Sequence, residues 1–281
     1  MKLQTSLLAG TAATVLLGIY LFVSAPPELP DAVAGARLIP AETALAVLDA
    51  ENAAIRALYT REIVAEGTKQ GLAFREDWKK ESVAAGPLPA LMLRETSNRL
   101  QTKVPELSLF LGSDYPLVAE NLFKGEQALH YQEVKKTQRP RFFYDAAQGR
   151  TTAMFPDRAS AQACVTCHNE HPKTPKRDWV LGESMGATTW SYAGKHVSSE
   201  TLLRMVGQLR ASAVESYASY LQKAARFESP RPVVGDKWPR EGLYLPDQES
   251  FRKALEAQNS AGTLNLLFAA VDNKPAGGAR K

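Results

Sequence analysis

The sequence predicts an α+β fold with a small antiparallel sheet, and three observations carry that prediction. Apolar residues recur at a helical period in two long stretches, residues 41–66 and 198–224. Short β-rich runs lie between them, at residues 108–111, 141–144, 151–155 and 185–192. Two of these runs flank residues 145–150, where Gly149 supplies the turn of a hairpin. Helices followed by strands and then a further helix favour α+β over an alternating α/β layout. The chain has 281 residues, enough for one or two domains. Its 44% apolar and 23% charged residues exclude disorder and a multi-span membrane protein.

The elements follow in order. After Lys2 no charge occurs before Glu28, and residues 7–23 form a nearly unbroken apolar run. Such a run lies between a signal-peptide core and a full membrane span. Val23-Ser24-Ala25 has the small residues of a cleavage site, but Pro26 and Pro27 follow directly and disfavour cleavage. Residues 1–25 are therefore read as an N-terminal membrane helix acting as a signal anchor, with a cleaved signal peptide as the alternative. Lys2 favours a cytoplasmic N-terminus, so the remainder is expected on the periplasmic side of a bacterial inner membrane. Residues 26–39, opening with PPELP, form a stiff linker.

A helix is expected from Ala41, with Leu45, Leu48, Ile55, Leu58 and Tyr59 on one face and an end before Gly67. Pro87 and Pro89 open a second helix reaching Leu100. Residues 108–111 form a strand closed by Gly112, and residues 124–134 a helix. Ser198 caps a long helix whose stripe is Leu202, Val206, Leu209, Ala213, Tyr217, Tyr220 and Ala224. Pro230 and Pro232 end it. One more helix is expected near residues 248–258, followed by an apolar segment at 264–271. Residues 40–195 are thus one domain, and residues 196–281 a helical C-terminal extension.

Lys and Arg total 34 against 30 Asp and Glu, a spread excess of four with no block of like charge. A nucleic-acid partner is not expected. The two cysteines, Cys164 and Cys167, are too few to staple a chain of this size. They stand in Cys164-Val165-Thr166-Cys167-His168, the C-x-x-C-H spacing of c-type haem attachment. Two thiols three residues apart reach the two vinyl groups on one edge of the macrocycle, and the next histidine lies beneath the iron. Two cysteines placed at random take this spacing on the order of once in 300, and a following His multiplies that by roughly one in 70. The competing readings are a redox-active disulfide, a structural disulfide, or half a zinc site using Cys164, Cys167, His168 and His171.

The following loop, residues 169–179, is stiffened by Pro172 and Pro175. Lys173, Lys176 and Arg177 supply cations suited to haem propionates. Trp179, Trp190, Phe142, Phe143 and Phe155 are candidates for an apolar wall. As a sixth iron ligand the candidates are His130, Met92 and Tyr59, with Met154, Met185 and His196 behind them.

Residues 163–187, ACVTCHNEHPKTPKRDWVLGESMGA, resemble the bacterial periplasmic c-type haem sensor domains that precede cyclases, kinases and chemoreceptors. The matching positions are Cys164, Cys167, His168, Asn169, His171, Pro172, Pro175, Lys176, Asp178, Trp179, Gly182, Gly186 and Ala187. LYTREIV at 58–64, PLPALMLRETSNRL at 87–100 and LFLGSDYP at 109–116 are similar as well, so the likeness spans roughly residues 40–193. It implies a PAS-like antiparallel sheet behind a long N-terminal helix. It also implies one haem c held through Cys164 and Cys167, with His168 as proximal ligand. Sensing of redox state or of a diatomic gas (NO, CO or O2), often as a homodimer, would follow. No kinase, cyclase or receptor signature follows the motif in this sequence, so a signalling or redox partner protein is implied. The alternative is a monohaem electron carrier. No set of distal acid and base residues stands out, so a binding module rather than an enzyme is expected.

Overall fold

The computed structural model of the protein describes residues 38–239 and 244–258, together with Thr263. The predicted signal anchor, most of the linker and the apolar segment at 264–271 lie outside the described residues. Among those described, no helix is long and apolar enough to cross a membrane.

The architecture is α+β. Strand β1 (Leu38–Pro40) leads into α1 (Ala41–Leu58), which continues as a π-helical segment, Tyr59–Ala65, and a last turn, Glu66–Lys69. Short strands β2 (Ala73–Arg75) and β3 (Ala85–Pro87) pair in parallel. Helix α2 (Pro89–Lys103) has proline at its first turn, where a missing N–H costs nothing. Then come β4 (Leu107–Gly112), α3 (Glu126–Thr137), and the hairpin β5 (Arg141–Asp145) and β6 (Arg150–Arg158). Helix α4 (Gln162–Glu170) carries the CVTCH motif. Strand β7 (Ser184–Ala193) and the short β8 (His196–Ser198), antiparallel to β1, lead into α5 (Ser199–Ala224). A parallel pair, β9 (Val233–Gly235) and β10 (Tyr244–Pro246), precedes α6 at residues 248–258.

The main sheet has the order β4-β7-β6-β5, antiparallel throughout. Its side chains alternate between two cores, as the period of a strand dictates. Ala153 and Trp190, with the half-buried Phe142 and Phe155, join the large core against α1, α2 and α5. Met154, Ala187 and the half-buried Phe143 face the other way, against Phe123 and the α3 residues Tyr131 and Val134. All seven residues of the predicted α5 stripe are buried. Ser198 caps α5 by accepting the Thr201 N–H at 3.1 Å. Leu245, Phe251 and Leu255 belong to the large core, and Phe251 stacks on Tyr217 at 4.2 Å. Among the described residues, those from Leu38 onward therefore form one compact unit, with α5 and α6 packed into its large core.

One ionic contact crosses that core. Arg210 on α5 donates to both carboxylate oxygens of the fully buried Glu51 on α1, at 2.8 and 2.9 Å, and the Thr263 hydroxyl bonds the same carboxylate. Removing one partner of such a pair costs about 3–5 kcal/mol, because the other charge stays buried.

Two glycines let β4 and β7 close up beside α4. A Cβ on Gly186 would stand 2.3 Å from the Gly112 carbonyl oxygen, and one on Gly112 would enter the Phe123 ring. Gly186→Ala should therefore lower stability by about 1–3 kcal/mol, read as a lower urea midpoint with an unchanged slope. An unchanged midpoint would contradict this packing.

Candidate functional site

Residues 164, 167 and 168 stand at i, i+3 and i+4, so the helical geometry of α4 puts Cys164, Cys167 and His168 on one face. The flank of the helix is fixed to the domain. Val165 is buried with Ala159 and Trp179, and Cys164 and Met185 pack against that cluster. Asn169 makes a reciprocal pair with Trp179. Its Nδ2 donates to the Trp179 carbonyl at 3.0 Å, and its Oδ1 accepts the Trp179 N–H at 2.8 Å. The turn after α4 is held too. The His171 Nδ1 accepts the Lys173 N–H at 3.1 Å, and its Nε2 lies 3.1 Å from Glu76.

The motif face itself is open. Cys167 is exposed, Cys164 and His168 are half-buried, and both cysteines are free thiols. The Trp179 ring meets His168 edge-on at 6.5 Å, and Tyr115 meets Trp179 at 6.0 Å. Val180 and Leu181, next in the chain, expose apolar side chains. Burial holds the His168 imidazole below its usual range, with His171 adding to the effect. A neutral ring is the form that ligates metal. Its Nδ1 is buried without a hydrogen-bond partner. Such an orphan costs about 1–3 kcal/mol.

These features fit a covalently held haem. The thiols and the imidazole share one face, burial disfavours the charged ring, and Trp179 with Val180 and Leu181 supplies apolar surface. Two of the three competing readings fare worse. Burial, then Glu76, Cys164 and Glu170, pushes the Cys167 thiol up, whereas a redox-active C-x-x-C needs a stabilised thiolate. Among the described residues no three His, Cys, Asp or Glu side chains converge as metal ligands, so the four residues of the zinc reading do not form a tetrahedral cluster.

The remaining expected residues separate. Lys176 stacks over Trp179 at 4.2 Å and bonds Asp178 at 2.7 Å and Glu183 at 3.2 Å. Arg177 donates to the carbonyls of Asn169 and His171, at 3.0 and 3.4 Å, and so closes the C-terminal end of α4. Both cations already serve the loop. Tyr59 is buried in the large core and donates to the Pro87 carbonyl at 2.7 Å, and Met92 is buried in the same core. His130 stacks on Phe143 at 3.8 Å. Met154 is buried beyond the sheet, and His196 is exposed on β8. Met185 alone of the distal candidates packs against the cluster of Ala159, Val165 and Trp179 beside the motif helix. Of the aromatic wall candidates, only Trp179 joins that cluster; Trp190 lies in the large core. Sequence reasoning gave no role to Glu76, because a Glu in a polar stretch carries no sign of its partner.

Asn169→Ala should remove both bonds to Trp179. The prediction is faster amide exchange across residues 162–170 with unchanged exchange in β6 and β7. Uniform acceleration over the domain, or none in α4, would contradict the anchoring role. Comparison with protein-family models, with curated proteins and with solved structures finds no match to this chain.

Proposed function

We propose that the chain is an exported, membrane-tethered c-type haem module that senses redox state or a diatomic gas. The observation that carries this reading is the shared, partly exposed face of Cys164, Cys167 and His168 on a helix anchored through Asn169. Haem would supply the iron, which changes valence and binds small ligands. The chain would supply everything else. Cys164 and Cys167 would add their S–H bonds across the two vinyl groups, leaving thioethers. His168 would bind the iron through a ring nitrogen. Trp179 would cover the ring edge and fix the His168 plane. Arg177, by closing α4, would keep the three residues in register.

A long helix laid over an antiparallel sheet whose first strand adjoins its last supports the PAS-like reading. The exposed Leu203 on α5 offers an apolar contact for a homodimer or signalling partner. The second reading, a monohaem electron carrier, is favoured by one observation. Met185 packs against the Ala159, Val165 and Trp179 cluster that seats the motif helix, and its thioether would be a candidate second ligand of the iron.

Absorption spectra of the oxidised, reduced and CO-treated protein decide between them. A sensor should bind CO in the ferrous state at micromolar gas, with a shifted Soret band. Spectra unchanged by CO, together with a low-spin form that Met185→Ala abolishes, would replace the sensor by the carrier.

A further inference from the structure

The two edges of the main sheet differ. At β4 the Leu109 carbonyl, on the side away from β7, accepts the Ser97 hydroxyl at 2.7 Å and the Gln101 amide at 3.2 Å, so α2 covers that edge. At the other edge β5 pairs with β6 on one side. Among the described residues no hydrogen bond is made to the backbone groups on its outer side. An open edge of this kind is a template for a further strand. The strand is Arg141-Phe142-Phe143-Tyr144-Asp145. Its side chains alternate: Phe142 joins the large core, and Phe143 faces α3, stacked on His130 at 3.8 Å. Arg141 and Asp145 therefore share the face of Phe143, and Tyr144 shares that of Phe142. Arg141 is exposed and makes no ion pair among the described residues. Asp145 uses its Oδ1 to accept the Gln148 N–H at 3.0 Å, and its Oδ2 has no bond among the described residues. Tyr144 is exposed as well, with the Lys195 ammonium over its ring at 4.3 Å.

We propose that β5 is the docking edge for a second copy of this chain, paired antiparallel through its own β5 about a two-fold axis at Phe143. The strand is complementary to itself. About that centre Arg141 of one copy stands opposite Asp145 of the other, and the axis makes this pair twice. Phe142 stands opposite Tyr144, also twice, and Phe143 meets its own counterpart. Opposed side chains in an antiparallel pair lie close enough to interact, and opposite charges and aromatic pairs are the favourable kinds. The two sheets join into one, and the unpaired N–H and C=O groups of each edge satisfy those of the other.

The chain also fixes the register. Opposed residues must point to the same side of the joined sheet, so a two-fold axis permits centres at Phe142, Phe143 or Tyr144. A centre at Phe142 puts Arg141 opposite Phe143, and one at Tyr144 puts Asp145 opposite Phe143. Each of these leaves the ion pairs unmade and strands a charge against an aromatic ring. Phe143 alone pairs all five residues of the strand with suitable partners. Pro140, which has no N–H, ends the pairable edge on one side, and the turn at Gly149 follows it on the other. The second copy is thereby assigned to the sheet edge rather than to Leu203 on α5. The pairing does not rest on the haem reading, because none of its residues lies in the motif helix or its loop.

Sedimentation velocity of the full-length chain in a nonionic detergent, across the micromolar range, tests the pairing. A dimer should form as concentration rises and weaken with added salt. Arg141→Glu sets two carboxylates against each other on both sides of the axis and should weaken association about tenfold, as should Asp145→Lys. An equal mixture of the two variants should recover the dimer, because each pair is again of opposite charge. Leu203→Glu should leave association unchanged. Amide exchange of the unmodified protein gives a reading that needs no variant to fold. Residues 141–145 should exchange more slowly as concentration rises, with exchange in β4 constant. A dimer that both charge variants leave intact, or that Leu203→Glu disrupts, would overturn the proposal. A monomer at every concentration would overturn it too, leaving the edge to an extended segment of a different protein.

Discussion

Asn169 and Trp179 exchange two hydrogen bonds, and the geometry of the motif helix depends on them. A nine-residue helix has little stability of its own. Here it is held by those bonds, by Val165 in a small apolar cluster, and by Arg177 on its last carbonyls. All these holds act on the flank and the C-terminal end. The stiff loop that follows serves as support for the helix, with its cations turned inward onto carbonyls, carboxylates and Trp179.

The same economy shapes the rest of the domain. Residues after the motif return along β7, and Gly186 lets that strand approach the Gly112 carbonyl closely. Beside that approach the Ser113 hydroxyl donates to the Met185 carbonyl at 2.5 Å. On the opposite face of the sheet, α1 is held by apolar packing with two ionic contacts. Glu51 grips α5, and Arg56 grips the end of β6. The first carboxylate is buried and fixes the core, whereas the second pair is partly solvated.

Much of this was legible from residue order. The α5 stripe, its Ser198 cap and the hairpin turn at Gly149, with φ of +66°, follow from period, capping chemistry and backbone freedom. The motif residues were legible because the C-x-x-C-H spacing is local and can be read directly from residue order. Other features were not. Gly67 reads as a helix end, yet α1 runs past it to Lys69. Leu72 and Phe74 fold back so closely that a Cβ there would lie 3.2 Å from the Phe74 ring, so the glycine answers to packing. Tyr59 and Met92 have ligand chemistry, but burial in the large core decides their place, and sequence does not encode which core. The three-residue strands β1, β2, β3 and β8 are too short to show alternation. The buried Glu51 sits in an apolar stripe only because Arg210 meets it from a distant helix.

The central claim is that Cys164 and Cys167 bond covalently to one haem. Intact mass spectrometry of the full-length chain, exported from cells with the haem-attachment machinery and washed with acid acetone, tests it most directly. The account predicts a mass gain of one haem, with the modified peptide containing both cysteines. Recovery of the unmodified chain mass, or of a chain two hydrogens lighter through a Cys164–Cys167 disulfide, would contradict it.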